Sequence, residues 1–219
     1  MSAIRLGTRA STLATTQSEM VARLLRSEGL DVDLTTITTH GDTSTASLAA
    51  MGGIGVFASA IRATLLKGEA DIAVHSFKDL PTGRPLGLAI GAVPARADPR
   101  DALVARDGLT LHDLPQEASV GTGSPRRAAQ LLAVRPDLTI VDIRGNVDTR
   151  LGRVKGLGHY AKGGGKEDLD AVVLAASGLA RLGHSGTVTE FLDPSVVLPA
   201  PAQGALAVEC RTADSRHGK

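Results

Sequence analysis

Short apolar runs, many of them β-branched, alternate along the chain with stretches whose apolar residues recur every three to four positions. The runs read as strands and the periodic stretches as amphipathic helices, so the alternation predicts an α/β architecture. Ile4–Leu6 opens as a strand. Ser11 then serves as an N-cap, and Leu13, Val21, Leu24 and Leu25 form one helical stripe that stops near Gly29. Val32–Thr38 reads as a second strand. Val56–Lys67 reads as a helix, with Phe57, Ile61 and Leu65 on one face and Gly68 as its stop. Ile72–Val74 is a buried strand that opens into His75–Pro81, and Leu88–Val93 and Leu103–Val104 are further strands. A second series follows: strand Ser119–Gly121, helix Arg126–Val134, strand Thr139–Ile143, helix Thr149–Lys155 and strand Ala171–Ala175. Helix Ser177–Leu182, with Ser177 as its N-cap, strand Val196–Leu198 and strand Ala205–Cys210 complete it.

Two proline-bearing crossings, Pro94–Asp101 and the Pro199/Pro201 segment, divide the series into two lobes, 1–97 with 203–219 and 98–202. Ligands of such sheets sit at the C-terminal ends of strands, so a cleft between the lobes is the expected site. His40–Gly55 is rich in Gly, Ser, Thr and Ala and reads as a flexible loop. Gly156–Lys166 is a Gly-rich basic insert that lacks GxxxxGK[ST], because Glu167 follows Lys166 and no strong strand precedes it. It reads as a flexible surface loop.

The 219 residues suffice for one large domain or two of about 100 residues. Twenty-four basic residues against 23 acidic ones give a net charge of +1, which argues against an acidic tail, a histone-like binder or a disordered chain. Aromatics are 2%, with no Trp, so no nucleic-acid partner is expected. The single Cys excludes an intrachain disulfide and a multi-thiolate metal site. Cys210, in the run ALAVEC, reads as a buried inert thiol. His75 has no second ligand at metal spacing and reads as a structural residue at a strand end, so no metal is expected. No run approaches the length of about 18 apolar residues that spans a bilayer. The start, MSAIRLGTRAS, is unlike a signal peptide, so a cytoplasmic protein without a membrane partner is the expectation.

Position turns an arginine bias (18 Arg to 6 Lys) into candidate chemistry. SVGTGSPRR puts Thr122, Ser124, Arg126 and Arg127 between a strand and a helix whose N-terminal amides favour anions. IVDIRGNVDTR puts Arg144 at a strand end and Arg150 at a helix start, and LAASGLARLG places Arg181 one turn into a helix. From Ser119 to Lys155, seven basic residues oppose three acidic ones, a local +4. Arg135 and Arg153 read as solvated or ion-paired helix ends. Arg126, Arg127, Arg144 and Arg150 read as a basic cluster for a substrate with several carboxylates or phosphates. In the first lobe Arg9 and Ser11 follow the first strand, and HSFKDLP puts His75, Ser76, Lys78 and Asp79 at the cleft mouth. Asp79 is expected to have a depressed pKa there and to stay ionised, suited to stabilising positive charge on a nitrogen and to moving a proton. A surface salt bridge with Lys78 is the alternative.

Nine motifs, LGTRASTLA, HGD, GGIGVF, AVHSFKDLPT, DPRDA, VGTGSPRR, RGNVDTR, LAASGLARLG and LPAPAQGALAVECR, span nearly the whole chain. In this order they resemble the porphobilinogen deaminase (hydroxymethylbilane synthase) family. The resemblance implies a monomeric transferase of haem biosynthesis. Such an enzyme condenses four porphobilinogen molecules into a linear tetrapyrrole, hydroxymethylbilane, releasing ammonia each time. It implies an α/β fold of two periplasmic-binding-protein-like lobes, with mixed, mostly parallel sheets and the site between them, followed by a third domain. Asp79 would be the catalytic aspartate, stabilising the pyrrole nitrogens as ammonia leaves. Arg9, Arg126, Arg127, Arg144, Arg150 and Arg181 would hold acetate and propionate groups. Ser11, Ser76, Lys78, Thr122, Ser124 and Gln203 would add polar contacts to substrate or cofactor.

Departures from the family pattern carry their own expectations. The family's dipyrromethane cofactor hangs by a thioether from a cysteine in a Gly-Gly-Cys setting of the third domain. This sequence ends at CRTADSRHGK, and Cys210 matches a different position. The third domain and the attachment cysteine are therefore expected to be absent, and the chain alone to be inactive. A non-catalytic two-lobed anion-binding module is the alternative. Ala50 and Ile54 stand where many relatives carry lysines, which implies weaker contacts between the flexible loop and anions.

Overall fold

A computed structural model describes residues 2–37, 56–83 and 85–214, with the backbone alone at 56 and 57. The expected flexible loop, with His40, Ala50 and Ile54, lies outside the described residues. The chain divides into two compact units, Met1–Ala97 with Ala205–Lys219, and Asp98–Gly204.

In the first unit β1 (Ile4–Arg9), α1 (Thr12–Ser27), β2 (Val32–Ile37), α2 (Val56–Leu66), β3 (Ile72–Ser76) and β4 (Leu88–Ala92) are joined by the returning strand β10 (Leu206–Arg211). The sheet order is β2-β1-β3-β10-β4. β1 runs parallel to β2 and β3, and β10 runs antiparallel to β3 and β4, so four of five strands point one way. One face packs Leu6, Ile72, Val74 and Val208 against Val21 and Ala22 of α1. The other packs Ala73 and Leu88 against Ile61 and Leu65 of α2.

Two strands outrun their apolar runs. β1 continues to Arg9 because Gly7, Thr8 and Arg9 stay paired with β2, so Arg9 ends the strand rather than following it. His75 and Ser76 likewise belong to β3, through pairing with Ala207 and Leu206. Ser11 caps α1 as expected, its hydroxyl accepting from the Ala14 amide at 3.3 Å. The buried stripe of α1 is Gln17, Ser18, Val21 and Ala22, while Leu24 is exposed. Two polar residues hold the buried face, which displaces the stripe that apolar spacing alone predicts.

The second unit contains β5 (Asp101–Ala105), β6 (Ser119–Gly121), α3 (Pro125–Val134), β7 (Thr139–Val141), α4 (Val147–Leu151), β8 (Ala171–Ala175), α5 (Ala176–Arg181) and β9 (Glu190–Phe191). Its order, β7-β6-β8-β5-β9, repeats the first layout, again with one reversed strand, here β5. Ser124 caps α3, with Pro125 in its first turn, and Asn146 caps α4 by accepting from the Thr149 amide at 2.8 Å. Ser177 is not a cap: it lies inside α5, which starts directly after β8 at Ala175 without a side-chain cap. Val196–Leu198 is not a strand. The edge strand is Glu190–Phe191, and the Val196 and Val197 amides turn back onto the Asp193 carbonyl. The 156–166 insert is tied down rather than loose. The Gly158 amide donates to Glu167 Oε1 at 2.7 Å, the Gly165 amide donates to the Gly158 carbonyl at 2.9 Å, and Tyr160 packs on the core.

The second unit is also braced by a carboxylate. Asp101, at the start of β5, has no exposed surface. Its Oδ1 accepts from Arg127 Nη2 and Gln203 Nε2, each at 2.7 Å, and its Oδ2 accepts from Arg126 Nη2 at 2.8 Å. Desolvation pushes this carboxyl up, but the bonds from Arg127, Arg126 and Gln203 outweigh it and the net shift is downward. The expected lobe boundary put Gln203 in the first lobe; its side chain bonds to Asp101 and to the Pro99 carbonyl, within the second unit.

A Cβ at Gly123 would stand 2.7 Å from the Ile143 carbonyl oxygen, a backbone atom that cannot swing aside. Gly123→Ala is expected to destabilise the second unit by about 1–3 kcal/mol in chemical denaturation. Asp101→Asn strips the counter-charge from two arginines and is expected to cost about 3–5 kcal/mol. In the wild type the Asp101 contribution is complete above the unfolded carboxyl pKa of about 3.9 and is lost as pH falls through the lower folded value. Acid unfolding monitored by circular dichroism should therefore be less steep in the asparagine variant.

Candidate functional site

The first unit gathers polar groups where β1 and β3 end. Arg9 closes β1, Ser76 closes β3, Gln17 points in from α1, and the turn Phe77–Asp79 follows β3 directly. Arg9, Gln17, His75, Ser76 and Asp79 line one recess, whose apolar wall is Ala14, Ala58, Ile61 and Val74. The Ser76 hydroxyl donates to Gln17 Oε1 at 3.1 Å. The Ser11 hydroxyl is committed to the α1 cap. Lys78 does not line the recess, but its charge acts on Asp79.

Asp79 corrects one expectation. Its carboxyl is pushed above the ordinary range by desolvation, and the charges of Lys78, Arg9 and His75 only oppose that shift. The sequence shows the cations but not the crowding. Asp79 is nonetheless an exposed residue, so water also reaches it. Gln17 is a site residue that apolar periodicity passes over; its signal is a long polar side chain on the buried stripe of α1, one turn before Val21.

In the second unit Thr122, Ser124, Arg126 and Arg127 all sit between β6 and the first turn of α3, as expected. Both hydroxyls shape the loop. Thr122 Oγ1 accepts from the Ser124 amide at 3.2 Å, and Ser124 Oγ accepts from the Arg127 amide at 3.5 Å. Arg126 and Arg127 each give one terminal nitrogen to Asp101, a partner that no local spacing reveals. Arg126 also donates to the Leu198 carbonyl, and Arg127 Nη1 donates to the Val173 carbonyl at 3.1 Å. Arg150 Nε donates to the Gly145 carbonyl at 2.9 Å, and Arg144 Nε stands 4.0 Å from Asp142. Arg181 Nη2 donates to the Gly204 carbonyl at 2.7 Å. Arg135 and Arg153 form ion pairs with Asp137 and Asp168, in keeping with their reading as helix-end charges.

Arg127, Arg144 and Arg150 come together electrostatically. Burial lowers the Arg150 pKa, the like charges of Arg127 and Arg144 push it the same way, and Asp142 opposes them. Burial also lowers that of Arg181. Among the described residues, buried side-chain atoms without a hydrogen-bond partner include Arg127 Nε and Arg181 Nε. Crowded like charges with unsatisfied donors raise the free energy, and an anion placed among them would lower it. Among the described residues, no three His, Cys, Asp or Glu side chains are placed to hold a metal, and no helix is long and apolar enough to cross a membrane.

Solved structures share this fold at low identity. A periplasmic substrate-binding protein of an ABC transporter from Coxiella burnetii is 17% identical, with 98% of this chain and 88% of that one covered, at a TM-score of 0.55. A nutrient-binding protein from Burkholderia cenocepacia bound to methionine is 14% identical, covering 96% and 86%, at a TM-score of 0.54. They show a two-lobed α/β fold of the periplasmic-binding-protein kind. Sequence relatives are much closer. The porphobilinogen deaminase of Cutibacterium acnes is 97% identical over 219 residues, all of this chain and 66% of that protein. That of Micrococcus luteus is 59% identical, covering 98% of this chain and 59% of its own length. The chain thus spans 59–66% of the length of these two relatives. A family model described as "Porphobilinogen deaminase, dipyromethane cofactor binding domain" matches residues 4–219, and the chain belongs to the porphobilinogen deaminase family.

Proposed function

We propose that this chain supplies the porphobilinogen-handling lobes of a hydroxymethylbilane synthase. In this reading the enzyme joins four porphobilinogen molecules head to tail. At each joining the aminomethyl carbon loses ammonia, the next pyrrole carbon forms a bond to it, and that pyrrole carbon then gives up its proton. Every porphobilinogen brings an acetate and a propionate, so the growing chain gains two carboxylates per step. The observation that carries the reading is the crowding of Arg150 by Arg127 and Arg144, with Arg127 Nε buried and unbonded. Guanidinium forks bind carboxylates through paired, charge-assisted hydrogen bonds.

Asp79 is assigned the nitrogen. Loss of ammonia leaves positive charge that the pyrrole nitrogen shares, and a carboxylate against its N–H stabilises that charge as it develops. A carboxyl made more basic by its crowded recess accepts that hydrogen bond more strongly and can take up a proton in turn. The charges of Lys78 and Arg9 oppose that upward shift.

The dipyrromethane cofactor fits this chain in one respect and not in another. The unpartnered buried Nε atoms of Arg127 and Arg181 suit its carboxylates, with Arg144 and Arg150 beside Arg127. When bound, the cofactor supplies the primer on which the tetrapyrrole grows. Cys210 does not fit as its anchor: the thiol packs in the core among Leu6, Val21 and Ile72, and burial pushes its pKa up, away from the reactive thiolate.

The test uses the full-length protein that carries this sequence, assayed for hydroxymethylbilane. Asp79→Ala is expected to lower kcat by about a hundredfold or more with KM little changed. Arg150→Ala is expected chiefly to raise KM, by about tenfold, for one lost charge-assisted fork. Wild-type turnover in Asp79→Ala contradicts the assignment.

A further inference from the structure

β10 carries an acid in the middle of the first unit. Glu209 has no exposed surface, although burying a carboxylate costs several kcal/mol unless partners compensate. Arg62 of α2 provides one partner: its Nε lies 3.1 and 3.0 Å from the two carboxylate oxygens, and its Nη2 lies 2.9 Å from Oε1. That fork already balances the charge. The second contact is His75, whose Nε2 stands 3.3 Å from Glu209 Oε2, off the line of a good hydrogen bond.

Sheet register explains the meeting. His75 lies opposite Ala207, and Ala73 lies opposite Glu209, so all four residues share the α2 face. The imidazole and the carboxylate are diagonal neighbours, and the two alanines leave room for both. His75 also lines the recess that contains Arg9, Gln17 and Asp79. Arg62, Glu209 and His75 therefore form a line of neighbouring groups that ends at the recess Asp79 also lines.

We propose that His75 is a positioning residue for Asp79, its ring braced by the buried Glu209–Arg62 pair at the wall of the recess that Asp79 also lines. The effect on turnover rests on the catalytic reading of Asp79; the effect on the carboxylate does not. Among the described residues, the charged and titratable groups around the recess are Glu209 of β10, Arg62 of α2, Arg9 of β1, and Lys78 and Asp79 of the turn after β3. α1 adds the uncharged Gln17. A purely structural His75 would fill space and leave the Asp79 titration where it is. A positioning His75 opposes the desolvation of Asp79, as its charge does here.

The experiment is a carbon-13 carboxyl NMR titration of the 219-residue chain. The Asp79 resonance is identified by its loss in Asp79→Asn. In His75→Gln, and in His75→Asn should the first variant fail to fold, the Asp79 midpoint is expected at higher pH than in the wild type. An unmoved Asp79 midpoint in the folded variant overturns the proposal. In the full-length enzyme the acid limb of the kcat/KM profile should follow the Asp79 midpoint upward, with KM changed by less than about threefold. A limb that stays put while the carboxyl moves counts against Asp79 as the catalytic group and leaves the positioning of Asp79 standing.

Discussion

Asp101 is the carboxylate on which the arrangement of arginines in the second unit depends. Burying it is costly, and three donors from distant parts of the sequence repay that cost: Arg126 and Arg127 at the start of α3, and Gln203 after the second crossing. In return it fixes the planes of two guanidinium groups and satisfies only some of their donors. Arg127 Nε stays bare, and its charge still presses on Arg150. Anchoring thus creates a set of cations that is rigid but incompletely neutralised, which is the state an anion site requires before its ligand arrives.

The two units repeat one plan. Each sheet has four strands pointing one way and a reversed strand inserted beside the third, β10 in the first and β5 in the second. Each reversed strand bears a fully buried acid clamped by an arginine from a neighbouring helix, Glu209 with Arg62 and Asp101 with Arg127. The plan serves different ends. In the first unit the acid touches a histidine that lines the Asp79 recess; in the second it fixes two arginines at the start of α3. The β-strand ends present both sets, as expected for sheets of this kind.

Much of this was legible in the sequence. Ser119–Gly121 and Ala171–Ala175 are strands with the expected bounds, because compact β-branched runs between turn residues leave little ambiguity. The Ser11 and Ser124 caps follow from local chemistry. What periodicity missed has identifiable causes. The α1 stripe is displaced because Gln17 and Ser18 hold buried positions that apolar spacing assigns elsewhere. β9 is two residues long and includes Glu190, too short and too polar to register. Asp101 as a clamp was invisible because its partners lie 25, 26 and 102 residues away. The upward shift of Asp79 was missed because neighbouring cations can be read from a sequence and the density of packing cannot.

The proposed function requires that the arginines braced by Asp101 form a preassembled receiver for carboxylates. Nitrogen-15 NMR of the arginine Nε–H groups tests it most directly, by titrating porphobilinogen into the 219-residue chain. Saturable shifts are expected at Arg127 and Arg150, with the solvent-facing Arg23 of α1 unmoved. Arg127 and Arg150 resonances that do not respond, or that move no more than that of Arg23, would contradict it.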